Sequence, residues 1–154
     1  MRTLQEIIEY KNEDVLSRFT DLLAVSEGEA ADIFTETKKF LYLSMQPNVF
    51  IPDELLILDE MWHNFILFTR VYQEFCLSYF GVFLHHIPAS KAEKQLQEQA
   101  YVLNPDQAKR EFEGRLSKLI SITYDQMGED TVMKWFQVYP ESYSAERIKV
   151  LRKN

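Results

Sequence analysis

Hydrophobic side chains recur every three or four positions along most of the chain, the spacing that places them on one face of an α-helix. Near the N-terminus the pattern predicts one or two helices with Asn12 as a cap between them. Ser26 and Glu29 form a capping-box pattern, which predicts a helix that begins after Ser26 and ends before Pro47. Residues 47–52 are predicted to be extended, because a residue that precedes proline is pushed out of helical geometry.

The same spacing predicts further helices in the rest of the chain. One helix is expected to begin at Pro52 or Asp53 and to run through Phe65. Thr69 either lies inside it or caps a further helix that ends at Gly81, and residues 81–90 are expected to form a loop. Later helices are expected at 89–103, at 105–127, and from 129 to an end at Pro140. We find no internal repeat and no linker. The sequence therefore predicts an all-α fold, a compact bundle of about six helices, with residues 1–154 as a single domain.

Composition agrees with long helices around one core. Glycine and proline number 4 and 5 among 154 residues, about half their usual share, so few turns are expected. Hydrophobic residues make up 46% of the chain, and a domain of this length buries roughly two-thirds of the surface that its unfolded chain exposes.

The net charge of the chain limits the kinds of molecule that it is suited to bind. The net charge is −7, with 14 acidic and 6 basic residues in 1–80 against 10 and 11 in 81–154. A negative chain is poorly suited to nucleic acid, whose binding depends on basic residues. No apolar run reaches the ~18 residues of a membrane span. We therefore predict no nucleic-acid or membrane partner, and expect another protein instead.

Cys76 is the only cysteine, so no internal disulfide is expected and nothing indicates an oxidising compartment. The first residues carry charges where a signal peptide needs an apolar stretch. We therefore predict a cytoplasmic location. Four glycines are too few and too scattered for a phosphate-binding loop, and no serine-nucleophile motif occurs, so whether the chain is an enzyme stays open.

The residues most suited to chemistry lie between 59 and 86, a range that holds all three histidines. Asp59 and His63 are four residues apart, at the edge of a broad apolar face formed by Leu58, Trp62 and their neighbours. Because this helix is apolar nearly all round, both polar side chains are expected to be buried or half-buried. Buried polar groups need partners.

Two interpretations of this pair are open. In the first, the His63 ring donates a hydrogen bond to Asp59 and the contact is structural. In the second, Asp59, His63 and either His85 or His86 hold one divalent metal ion, zinc first and iron or manganese as alternatives, with a position left for water. His85 and His86 are neighbours, so in extended backbone they point to opposite sides and at most one faces Asp59.

Two further residues of this range, Trp62 and Cys76, are candidate site residues. Trp62 has apolar neighbours at helical spacing and is interpreted as a core anchor rather than a stacking platform. Cys76 lies on the apolar edge of its own helix, where a free cysteine usually acts as a small hydrophobic residue rather than a ligand.

This arrangement resembles a known family. The order Asp59-x-x-Trp62-His63, Tyr72, Cys76, Phe80-Gly81 and His85-His86-x-Pro88 is similar to the core of the glycine-rich-domain-containing protein family over about 30 residues. The resemblance implies a stand-alone version of that family's helical N-terminal module and brings no established reaction with it. It transfers Asp59, Trp62, His63, Cys76, His85 and His86, whose role stays open. The glycine-rich region and RNA-binding motif of plant members have no counterpart in this chain.

Two functional hypotheses follow. The first is a helical binding or regulatory module that acts through contact with another protein and carries an Asp/His metal site. The alternative is a metal-dependent hydrolase that uses Asp59, His63 and His85 or His86. A structural role without any ligand is the third option.

Overall fold

The computed structural model describes residues 1–153. About 75% of the chain is helical, and no strand occurs in the described range. The predicted all-α fold is confirmed, with more helical segments than the six expected. None of the described helices combines the length and the apolar character that a membrane crossing requires.

The helices follow one another along the chain as short and long segments. They are α1 Leu4–Glu9, α2 Glu13–Leu22, α3 Glu27–Leu43, α4 Leu56–Ile66, α5 Thr69–Tyr79, α6 Lys91–Leu103, α7 Pro105–Met127, α8 Glu129–Met133, α9 Tyr139–Ser142 and α10 Ala145–Leu151. A 3-10 turn, Asp53–Leu55, precedes α4, and a π-helical turn, Lys134–Val138, joins α8 to α9.

Side chains at the helix starts explain several of these boundaries. Asn12 and Ser26 each accept a hydrogen bond from the backbone N–H three residues further on, at 3.1 and 3.0 Å. Both predicted caps are therefore confirmed, and each satisfies an N–H group that has no partner inside its helix. The Ser90 hydroxyl accepts a hydrogen bond of 3.1 Å from the Glu93 N–H, and this cap begins α6 at the end of the predicted 81–90 loop.

The structure differs from the local predictions in three places. Pro140 does not end the helical stretch, because the π-helical turn Lys134–Val138 shifts the hydrogen-bond register directly before it. The helix α10, capped by Ser144, was not predicted. The 47–52 connection is not extended throughout, since Asn48 adopts a left-handed conformation with φ of 68°.

The buried side chains form one cluster centred on α3, which packs against α1, α2 and α4. Aromatic rings fill the space between these helices and α5; Tyr10, Phe65 and Phe75 lie within 6.1 Å of one another by ring centroid. In contrast, α6 has no buried residue and packs against α7 as a hairpin. The core therefore fixes α4 and α5, the two helices that carry the residues of interest.

Candidate metal centre

Helix α4 carries Asp59 and His63 at different depths. The Asp59 side chain is 22% exposed, as predicted for a half-buried group, whereas the His63 side chain is 57% exposed. The prediction of burial was wrong for His63. The core covers the helix face that contains Leu58 and Phe65, while the edge with His63 and Leu67 faces solvent.

His86 belongs to residues 81–88, the segment after α5 that we call the strap. Its Nε2 lies 2.6 Å from Asp59 Oδ1, and its ring packs between those of Trp62 and His63, at centroid distances of 4.2 and 4.4 Å. His63 Nδ1 lies 3.7 Å from Asp59 Oδ2, too far for a hydrogen bond. The hydrogen-bond partner of Asp59 is therefore His86 and not His63, contrary to the structural interpretation of the sequence.

The neighbouring His85 is directed elsewhere. Its ring packs against Phe83 at a centroid distance of 4.7 Å, and the residue is exposed. The prediction that at most one of the two histidines faces Asp59 is confirmed, and the structure selects His86.

Tyr72 connects the strap to α4. Trp62 Nε1 donates a hydrogen bond of 2.9 Å to the Tyr72 hydroxyl, which in turn donates one of 2.6 Å to the carbonyl oxygen of Leu84. Burial raises the pKa of Tyr72, so the hydroxyl keeps the proton that it donates. Leu84 lies two residues before His86, and this chain of hydrogen bonds therefore positions the strap.

Sequence reasoning did not assign this role to Tyr72. The signal was present, because a buried tryptophan N–H and a buried tyrosine hydroxyl both need hydrogen-bond partners. What the sequence lacked was the position of the Leu84 carbonyl oxygen.

Trp62 and Cys76 both lie in the core. This burial agrees with the interpretation of Trp62 as an anchor, although its ring also contacts His86. Burial raises the pKa of the Cys76 thiol, which keeps it protonated. Cys76 contacts Tyr72 and the Leu84 backbone rather than His63 or His86.

Asp59, His63 and His86 each offer a ligand atom, and the three atoms lie within 4.8 Å of one another. Two donors bound to one zinc ion at ~2 Å each are at most about 4 Å apart. Binding of one ion would therefore require the donors to shift, and His63, whose side chain is the most exposed of the three, is the least restrained by packing. One carboxylate and two imidazoles suit zinc, iron or manganese.

Asp59 and His86 also line a cleft of about 570 Å³ between α4, the strap and residues 49–53. Most of the residues that line it are apolar, with Phe50, Ile51 and Phe83 among them. The volume falls in the range of small-molecule sites. The arrangement can thus combine metal binding with the binding of a second molecule.

The sequence model of the UCP032817-like family matches residues 9–105, nearly two-thirds of the chain. The matched range contains α4, α5 and the strap. No curated protein and no solved structure matches the chain. The name of the matching family states no activity, and nothing in these comparisons bears on the resemblance to the glycine-rich-domain-containing family, which stays a prediction.

Proposed function

The chain belongs to the UCP032817-like family, and for this member we propose a helical module that binds one divalent metal ion through Asp59, His63 and His86. The observation that supports it is the approach of three ligand atoms within 4.8 Å of one another. Zinc is the first choice, because it accepts mixed nitrogen and oxygen ligands. Iron and manganese are the alternatives.

The position of His63 supports metal binding over a purely structural contact. A hydrogen-bonded pair of Asp59 and His86 needs no second imidazole. Nevertheless, the exposed His63 stacks on His86 and has its Nδ1 3.7 Å from the free carboxylate oxygen of Asp59. Metal ligands must be deprotonated, so the ion would replace the proton between Asp59 and His86. The affinity for the metal should therefore fall as the pH falls.

The cleft beside the ligands favours metal-dependent hydrolysis as a second candidate function. An ion with three protein ligands keeps a position for water and lowers the pKa of that water to near neutrality. Because Asp59 and His86 line the cleft, a substrate bound there would lie close to the site.

We also propose that the module acts in the cytoplasm through contact with another protein. Its support is the surface of α6, where Leu96, Val102 and Leu103 are exposed. Apolar side chains grouped on one exposed helix are typical of contact surfaces.

Metal titration of chelator-treated protein tests the main proposal. We expect calorimetry to show about one equivalent of zinc bound by the wild type and an affinity at least about 100-fold lower in Asp59→Asn, His63→Ala and His86→Ala. His85→Ala is the matched control, because this neighbouring histidine lies outside the cluster. Zinc at 100 times its Kd should stabilise the wild type by about 2.7 kcal/mol.

Two results would refute the proposed three-ligand site. One is a wild type that binds none of zinc, iron(II) and manganese and whose melting temperature is unchanged by all three. The other is a His85→Ala protein that loses as much affinity as His63→Ala. If the wild type binds metal but hydrolyses no ester, amide or phosphoester in a screen, the second candidate function alone is refuted.

A further inference from the structure

The cleft beside Asp59 has a distinctive charge. Its ionisable lining residues are two aspartates and two histidines, and neither lysine nor arginine occurs among the described residues that line it. The rest of the wall is largely apolar and aromatic. Such a surface disfavours phosphate and carboxylate groups and favours a cation with an apolar body.

Asp53 supplies the free negative charge of this cleft. It begins the 3-10 turn before α4 and is exposed. Its carboxylate takes part in none of the hydrogen bonds or ion pairs found within residues 1–153. Asp59 differs, since its carboxylate lies against His86 and His63. A ligand cation would therefore find its partner in Asp53.

Arg115, a basic side chain close to this cleft, does not cancel that charge by pairing. The Arg115 guanidinium lies over the Phe50 ring, 4.2 Å from its centroid. It lines a neighbouring groove that Asp53 also borders, yet no ion pair joins the two. The cleft itself keeps its acidic character.

We propose that this cleft binds a small organic amine in its protonated form. Its apolar body would lie against the walls that include Phe50, Ile51 and Phe83, and its ammonium group would pair with Asp53. The aromatic walls suit this ligand because cations and apolar groups both pack favourably against rings. The inference concerns the metal-free cleft and does not require the metal proposed above, since Asp53 is not one of the three ligands. An ion held by Asp59 and His86, which line the same cleft, would add positive charge and weaken the binding of the amine.

Four probes test the proposal on metal-free protein at neutral pH by calorimetry. They are 3-phenylpropylamine, 3-phenylpropanol, 3-phenylpropionate and propylamine, so that the first three share one body and differ in charge. We expect the phenyl amine to bind about tenfold more tightly than the phenyl carboxylate, with the alcohol between them. Propylamine should bind most weakly, because it lacks the apolar body.

A charge reversal at Asp53 sharpens the test. In Asp53→Lys the order should invert, with the carboxylate bound more tightly than the amine. Glu74→Lys is the matched control, since it changes net charge equally at an exposed position of α5 that lines no cavity described here. Its order of affinities should be that of the wild type.

Equal affinities for the three phenyl probes, or no detectable binding of any of them, would overturn the inference. So would an Asp53→Lys protein that keeps the wild-type order, or a Glu74→Lys protein that also inverts it. A protein that binds the amine but no metal refutes the metal proposal and supports this one. A protein that binds zinc but none of the phenyl probes supports the metal proposal and refutes the amine proposal.

Discussion

Two carboxylates of this molecule, Glu36 and Asp59, lie in contrasting surroundings. Glu36 on α3 is 2% exposed and accepts a hydrogen bond of 2.9 Å from Trp135 Nε1, with Lys39 Nζ also at 2.9 Å. Asp59 on α4 is 22% exposed, and its nearest polar partners are the rings of His86 and His63. One carboxylate is enclosed by donors, and the other lies beside a cleft.

The chemistry of the partners distinguishes the structural site at Glu36 from the candidate ligand site at Asp59. An ammonium group and an indole N–H are donors only, so the atoms around Glu36 cannot also bind a cation. An imidazole can give up a proton and present a lone pair to a metal ion. A carboxylate withdrawn from solvent therefore indicates a ligand site only when its partners can change from donors to ligands.

The largest effect is expected at Glu36. Glu36→Ala would leave the buried Trp135 N–H without an acceptor and Lys39 without its counter-charge, which should cost about 3 kcal/mol in urea unfolding. Zinc affinity should not change. Asp32→Ala on the same helix removes an exposed ion pair with Lys134 and should cost less than about 1 kcal/mol. Equal losses in the two variants would contradict the distinction.

A smaller effect is expected at Tyr72, which holds the strap beside Asp59 but is not one of the three proposed ligands. Tyr72→Phe would leave the Trp62 N–H and the Leu84 carbonyl oxygen unpaired, at a cost of about 1–2 kcal/mol in unfolding. Zinc affinity should fall about tenfold, because His86 loses its positioning. Tyr79→Phe is the control, since none of the hydrogen bonds found among residues 1–153 uses that hydroxyl. Unchanged zinc affinity in Tyr72→Phe would contradict a positioning role.

The smallest effect concerns Lys38, a second buried charge of α3. Its Nζ donates hydrogen bonds to the carbonyl oxygens of Ile8 and Tyr10, and burial lowers its pKa from 10.5 to about 8. Between pH 8 and 9.5 the unfolded chain therefore holds more protons at this lysine than the folded one. Stability should rise with pH by about 1 kcal/mol over this range.

Lys38→Met provides the comparison for that prediction. Urea unfolding at pH 8 and 9.5 should show the rise in the wild type and not in the variant. A parallel pH dependence in both proteins would contradict the assignment to Lys38. The result would also show whether the core around α3 tolerates a neutral side chain of similar length there.

Features that depend on neighbours within a few residues could be predicted from the sequence. Helical spacing predicted the all-α fold, and the caps at Asn12 and Ser26 followed from side chains that reach a backbone N–H three residues away. The same local geometry placed Asp59 and His63 on one side of α4 and separated His85 from His86. Local rules failed at Pro140, where the helical register is interrupted by the π-helical turn.

Contacts between groups that are distant along the chain could not be predicted in this way, because they depend on how the helices pack. His86 reaches Asp59 from 27 positions away, and the Tyr72 hydroxyl meets a strap carbonyl oxygen 12 positions away. The exposure of His63 depends on which edge of α4 the neighbouring helices leave uncovered. Such contacts follow from the packing of several elements around one core, and periodicity within a single helix carries no information about them.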